Sequence, residues 1–277
     1  MGEEPPMPSA STRVVAVCAR YLAVCMVALT QPSSNAGEYD EIRQAVIYCI
    51  NSHDSIKLSE DRMTLCFDGR ISENSEVEGR FQELNDHGFL VIRSPGGFFP
   101  AAMKIADILL EKDATVVVRD YCFSACANYI FFATHKTHVL RDSVVAWHGG
   151  PASGACNGYV EGVRVAPGSD RATMCDNLAR QKTFFQARGI QPGFIYNPPT
   201  PYTRMMFNLL KSPGSRASGG PTPGYTSQIF WTWNPRNYQV SLKDRIVYAN
   251  YPNGQSDLDR MIDRLKLKIQ IIYDPGL

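Results

Sequence analysis

The chain predicts an α/β fold built on a buried, largely parallel sheet, and three observations carry that expectation. From residue 63 onward, short apolar runs of four or five residues alternate with helical patterns of roughly ten. The runs are continuously apolar rather than alternating, as strands covered on both faces are. Three motifs rich in small residues follow such runs: Ser94-Pro95-Gly96-Gly97, Cys122-Phe123-Ser124-Ala125-Cys126 and Trp147-His148-Gly149-Gly150. Ligands in sheets of this kind sit beyond the carboxyl ends of the strands, which is where these motifs fall.

Taken in order, residues 63–67 read as a strand, 75–85 as a helix and 89–92 as a strand. Residues 100–110 form a helix with Ala101, Ile105, Ile108 and Leu109 on one side. Residues 115–118 are a strand, 125–133 an apolar helix and 143–147 a third motif-bearing strand. The second half is less regular. Residues 174–188 read as an amphipathic helix through Leu178, Lys182, Phe185 and Arg188, ended by the Gly189–Gly193 turn, and 202–210 as a short helix. The Gly, Pro and Ser-rich stretch 212–227 is a loop. Residues 257–269, with alternating charges, read as a final helix with a solvated face. No internal repeat and no second domain emerge.

At 277 residues, 44% apolar and a net charge of +1, the chain has enough material for one sizeable core and no electrostatic footprint for nucleic acid. The first 36 residues stand apart. Arg13 and Arg20 precede the apolar run 21–29, and Ser34-Asn35-Ala36 supplies the small residues of a cleavage site, leaving Gly37 as the mature start. This is a secretory leader, with an apolar stretch too short to favour a permanent span. The expected location is periplasmic or secreted, with membrane attachment only if the segment stays as an uncleaved anchor. A lipidated Cys25 is disfavoured by the bulky Val24 before it.

Removing the leader takes away Cys18 and Cys25 and leaves Cys49, Cys66, Cys122, Cys126, Cys156 and Cys175. An even number in an exported chain points to disulfides. Proximity favours Cys49–Cys66, Cys122–Cys126 and Cys156–Cys175, although six cysteines permit roughly fifteen pairings. Cysteines at i and i+4 are badly placed for bonding on a regular helix, so Cys122 must lie outside the helix if it pairs with Cys126. No C-x-x-C pair exists, and the histidines do not cluster with the cysteines, so a metal site is not expected.

Attack on an ester or amide carbonyl requires an activated hydroxyl, a base and donors for the developing oxyanion. Ser124, opening an apolar helix with the small Ala125 behind it, is the candidate nucleophile. Its bland alternative is a plain helix cap. His148 is the candidate base, because imidazole titrates near working pH; a buried histidine satisfied by backbone is the competing role. His135 and His138 fall between a helix and a strand, where exposure explains them. Gly96 and Gly97 permit a tight turn with exposed N–H groups, and with Ala125 they form the candidate oxyanion site. No cofactor is needed for this chemistry.

Residues 65–69, ending in Asp68-Gly69, followed by a helix and then Val91-Ile92-Arg93-Ser94-Pro95-Gly96-Gly97, resemble the proteolytic subunit of the Clp protease, ClpP, within the ClpP/crotonase superfamily. The resemblance covers residues 60–150 well and the rest loosely. It implies a repeated β-β-α spiral with a mostly parallel sheet, an oxyanion hole at the SPGG glycines, a Ser opening a later helix and a His some way beyond it. Here Ser124 and His148 are 24 residues apart. The family's third member would fall near Asn197, 49 residues past His148, with Asp170 and Asp176 as closer alternatives. An Asn orients an imidazole but stabilises the imidazolium less than a carboxylate does. The cysteines flanking Ser124 look like those of exported ClpP-like proteins, in which such a pair would brace the nucleophile turn. No segment resembles the ring-forming element of the heptamer, so homo-oligomerisation is left open and no ATPase partner is assumed.

The leading expectation is an exported serine hydrolase acting on a peptide or protein substrate. The alternative is a weakly active or inactive ClpP-like binding or scaffold protein of the cell envelope. An acyl-CoA enzyme of the crotonase branch is disfavoured by export. A Ser-Lys mechanism would need Lys104 or Lys136, neither persuasively placed.

Overall fold

The computed structural model describes residues 34–149, 156, 170–191, 193–211, 229–233 and 246–276. The leader run 21–29 and the loop 212–227 lie outside the described residues, as does Gly150. The chain divides into two units, Met1–Gln44 and Ala45–Leu277. Residues 34–44 of the first belong to helix α1 (Ser34–Ile50), which the sequence reading did not anticipate. No helix among the described residues is long and apolar enough to cross a membrane.

The second unit is α/β with a mostly parallel mixed sheet. Its seven strands are β1 (Ile56–Leu58), β2 (Thr64–Asp68), β3 (Phe89–Ser94), β4 (Thr115–Phe123), β5 (Lys136–Val139), β6 (Val144–Ala146) and β8 (Ile246–Tyr248). The order is β1-β2-β3-β4-β5-β8, and β6 also pairs with β4. Only the β1–β2 pair is antiparallel among them. Leu65, Leu90, Val116 and Val118 are wholly buried, consistent with strands covered on both faces.

Helix α2 (Ser75–Glu83) starts at Asn74, whose side chain accepts hydrogen bonds from the Glu76 and Val77 N–H groups, and Phe81 anchors it to the core. Helix α3 (Phe99–Glu111) carries Pro100 in its first turn, where a missing N–H costs nothing, and buries Ala102, Met103, Ile105, Ala106, Ile108 and Leu109. Strand β4 runs five residues beyond the expected 115–118. A bulge at Arg119–Tyr121 shifts its register against β3 from Ile92↔Val118 to Ser94↔Cys122. The first half of β4 pairs with β5 and the second half with β6. The bulge thus hands β4 from one neighbour to another and aims its end at the site.

Two expectations are corrected here. The apolar helix 125–133 is a five-residue π-helix, Cys126–Ile130, closed by a Phe131 N–H to Cys126 carbonyl bond; the chain must turn at once into β5. The last helix is α7 (Gln255–Arg264), not 257–269. It stops where Leu267 N–H reaches back to the Ile262 carbonyl, and the remainder enters strand β9 (Gln270–Asp274).

Helices α4 (Asp170–Ala187), α5 (Gly193–Tyr196) and α6 (Pro201–Lys211) follow the region of His148. Strand β7 (Ile229–Trp233) pairs in parallel with β9 as a separate two-stranded sheet. A bridge between Trp147 and Trp231 joins that sheet to the end of β6. The three cysteine pairs favoured by proximity are disulfides, with Cα–Cα separations of 5.3 Å (Cys49–Cys66), 5.3 Å (Cys122–Cys126) and 5.7 Å (Cys156–Cys175). They fit a chain that matures in an oxidising environment.

Candidate active site

Ser124 lies in the turn between β4 and the π-helix, with φ +57°. A side chain in this left-handed region is disfavoured, and the turn is held from both sides. Ser124 N–H donates to the Ala146 carbonyl on β6 at 3.1 Å, and its own carbonyl accepts from Asn128 N–H at 2.8 Å. Cys122 lies in strand β4, outside the π-helix, and this lets it reach Cys126. The result is a strand-to-helix elbow that presents the serine hydroxyl.

His148 follows β6 by two residues, and its position is set by a dense clamp. Trp147 exchanges two backbone hydrogen bonds with Trp231, at 2.8 and 2.7 Å, and stacks on Trp233. One residue into β6, the Val145 carbonyl accepts from Thr232 Oγ1 at 2.7 Å and from the Tyr251 hydroxyl at 3.0 Å. Phe230 meets the imidazole edge-on at 5.1 Å. In this setting His148 Nε2 lies 2.6 Å from Ser124 Oγ, a hydrogen bond between the two residues that the motif order singled out.

The Ser94–Gly97 turn packs directly on the elbow. Gly96 has φ +86°, and a Cβ there would stand 2.4 Å from the Phe123 carbonyl oxygen, 2.7 Å from Ser124 Cβ and 2.8 Å from Ala125 N. Gly97 has φ +147°, and its Cβ would fall 2.0 Å from the Ile71 carbonyl oxygen. No other residue fits either position. The Gly96 N–H is already engaged, donating to the buried Ser94 Oγ at 3.1 Å, while the Gly96 carbonyl accepts from Ile71 N–H at 2.9 Å. No hydrogen bond among the described residues uses the N–H of Gly97 or Ala125. Those two, rather than Gly96, have donors to offer, and Ser94 is the residue that the sequence reading overlooked.

The remaining candidates separate clearly. Asn197 is exposed just after α5, with its N–H on the Gly193 carbonyl at 3.3 Å, and it makes no hydrogen bond to His148. Asp176 is exposed on α4 and makes none either. The Asp170 side chain lies outside the described residues. His138 is not exposed as expected but 8% accessible within β5, whereas His135 is exposed. Lys104 pairs with Glu78 at 2.6 Å and Lys136 is exposed at the start of β5. Among the described residues no three His, Cys, Asp or Glu side chains gather as a metal site requires.

At the carboxyl ends of β2 and β3 and the bulge of β4, Asp68, Arg93, Arg119 and Asp120 form a four-membered charge network. Arg93 Nε donates to Asp68 Oδ1 at 2.8 Å and its Nη1 to Asp120 at 3.4 Å; Arg119 reaches Asp68 at 3.4 Å. The hydrogen bond to Asp68 is the main cause that pushes the Arg93 pKa further up. Asp120, at φ +62°, also donates its N–H to Ser143 Oγ at 2.8 Å. Two acids and two bases cancel, so the network pins the β4 bulge without giving the edge a net charge.

No protein-family model matches the chain, and no curated protein matches it in sequence. Its class therefore rests on the fold and on these side chains: an α/β protein with a serine–histidine pair at a strand-to-helix elbow.

Proposed function

We propose that this chain is an exported serine hydrolase of ClpP/crotonase-like fold, acting as a peptidase. The observation that carries the reading is the 2.6 Å contact between Ser124 Oγ and His148 Nε2, on a left-handed elbow beside a double-glycine turn. With its Nε2 unprotonated, His148 takes the Ser124 proton as Oγ attacks the substrate carbonyl carbon. The N–H groups of Gly97 and Ala125 receive the developing oxyanion. Return of the proton to the leaving amine gives an acyl-enzyme, and a water activated by the same imidazole releases the acid. The leader pattern and the three disulfides support action outside the cytoplasm.

The test is labelling by a fluorophosphonate probe. Wild type is expected to label, with the adduct on Ser124 by peptide mass mapping, and Ser124→Ala to lose it. His148→Ala should label about 10²–10⁴-fold more slowly, the usual worth of a general base. Asn197→Ala and Asp176→Asn should label at rates within about threefold of wild type, since neither side chain touches His148 and exposed positions of this kind are nearly neutral. Equal labelling of wild type and Ser124→Ala, or none of either, defeats the proposal and leaves a binding role for the fold.

A further inference from the structure

We propose that oxidation of Cys122 and Cys126 licenses the Ser124 nucleophile, so that the chain is latent while the pair is reduced and competent once it is a disulfide. The inference rests on the serine hydrolase reading and adds a condition to it. Cys122 is the penultimate residue of β4 and Cys126 the first of the π-helix, four positions apart, with Ser124 midway between them. The disulfide therefore closes a small covalent ring around the nucleophile. Its Cα–Cα separation of 5.3 Å keeps both ends of the turn close together, and within the ring Ser124 stands at φ +57°. A residue bearing a side chain is disfavoured in that region, and with the ring open only the hydrogen bonds to Ala146 and Asn128 and the packing of Gly96 would hold it there.

The same ring carries the oxyanion geometry. The Phe123 carbonyl, Ser124 Cβ and Ala125 N form the floor on which Gly96 packs without room for a methyl group. If the ring opens, Oγ, the Ala125 N–H and the Ser94–Gly97 turn lose their common reference together. Neither of the other disulfides includes a residue of this turn: Cys49–Cys66 ties α1 to β2, and Cys156–Cys175 reaches α4. Cys122 and Cys126 are both 0% exposed. Reagents do not reach their sulfurs in the folded chain, so the oxidation state is set before the core closes.

The chemistry is thiol–disulfide exchange. The thiolate of one cysteine attacks a disulfide-bearing oxidant, a protein or small-molecule disulfide, to give a mixed disulfide. The second cysteine then displaces the oxidant as its dithiol form. The pair loses two electrons and two protons, and the oxidant gains them. A reducing compartment leaves the dithiol, and with it a misaligned serine.

The experiment compares full-length oxidised wild type with Cys122→Ala/Cys126→Ala and with Cys49→Ala/Cys66→Ala. The readouts are the fluorophosphonate labelling rate at Ser124, kcat and KM on a peptide library hit, and thermal melting. The expected result is labelling and kcat about 10²-fold lower in the first double variant with KM unchanged, the scale of a misplaced reacting group. The second double variant should melt lower yet label at the wild-type rate. Should the alanine pair fail to fold, Cys122→Val/Cys126→Ala restores buried volume and is read in the same way. Wild-type labelling by a folded Cys122/Cys126 variant overturns the inference while leaving the hydrolase reading intact. Equal slowing in both double variants overturns it as well, by showing a general loss of stability. Absence of Ser124 labelling in oxidised wild type overturns both readings.

Discussion

At Ser124 the backbone occupies a conformation that costs a residue with a side chain about 1–2 kcal/mol, and every close neighbour of the turn works against its relaxation. Its N–H is committed to Ala146, its carbonyl to Asn128, and Gly96 packs against its Cβ. A serine serving only as a helix cap requires none of this, since a cap adopts ordinary extended geometry. Gly96 is the residue on which the packing bears hardest. Gly96→Ala would drive a methyl group into the Phe123 carbonyl and force a side chain to φ +86°. It should destabilise the protein by about 2–4 kcal/mol, overpacking and backbone strain together. Urea denaturation reads this directly; a loss below about 0.5 kcal/mol, the range of a neutral surface change, would show that the turn has room to move. Ser94 matters for a related reason. Its hydroxyl holds the Gly96 N–H, and the N–H of Gly97 is then the donor of this turn that no hydrogen bond among the described residues uses.

At the scale of elements, His148 is placed by strands remote in sequence. Val145, three residues before it, is held by Tyr251 and Thr232, and Trp147 is held by Trp231. Tyr251 keeps part of its ring exposed but turns its hydroxyl inward, and burial pushes its pKa well above the ordinary phenol value near 10. Tyr248 shifts the same way for the same reason. Between the ordinary and the raised value the unfolded chain loses these protons and the folded chain keeps them. Their contribution is therefore whole below about pH 10 and is lost as the pH rises through the folded values. Thermal melts should show wild-type stability falling above about pH 10. Tyr251→Phe should start about 1 kcal/mol lower, from the lost hydrogen bond, and fall less steeply; parallel curves would contradict this role. This clamp also marks the limit of what the chain revealed by inspection. Strands β2, β3 and β4 and helices α2 and α3 were legible because continuous apolar runs and 3.6-residue spacing are local signals, and the order and spacing of SPGG, CFSAC and WHGG pointed to Ser124 and His148 through their resemblance to ClpP. The run Ile229-Phe230-Trp231-Thr232-Trp233 has the aromatic and β-branched composition of a strand and could have been read as one. Its pairing with β9 and its bridge to Trp147 could not, because such contacts leave no periodic trace in either segment. The end of α7 was misread because Leu265, Leu267 and Ile269 alternate with lysines in a way that suits a helix face as well as the approach to a strand.

For the molecule as a whole, Ser124 and His148 draw their support from opposite ends of the second unit. The Ser124 elbow is complete once residues up to Ala146 are in place, since its contacts come from Ile71, the Ser94–Gly97 turn, the Cys122–Cys126 pair and β6. His148, although only 24 positions later, waits for β7 and β9, and β9 ends at Asp274. Asp274 is itself wholly buried, accepting from Thr200 N–H at 3.0 Å, from Thr200 Oγ1 at 2.9 Å and from Gly276 N–H at 2.9 Å. The last strand thereby fastens the start of α6 as well as the partner strand of the histidine. A chain cut before Ile229 should retain Cys122–Cys126 by mass mapping yet react with a fluorophosphonate no faster than His148→Ala; wild-type reactivity in the cut chain would refute the dependence. The Trp147–Trp231 bridge consequently ties His148 to the last-made segments of the chain. On the hydrolase reading proposed above, a copy unfinished or clipped before Ile229 carries Ser124 without a positioned imidazole, and its chemistry waits on the last strand to be made.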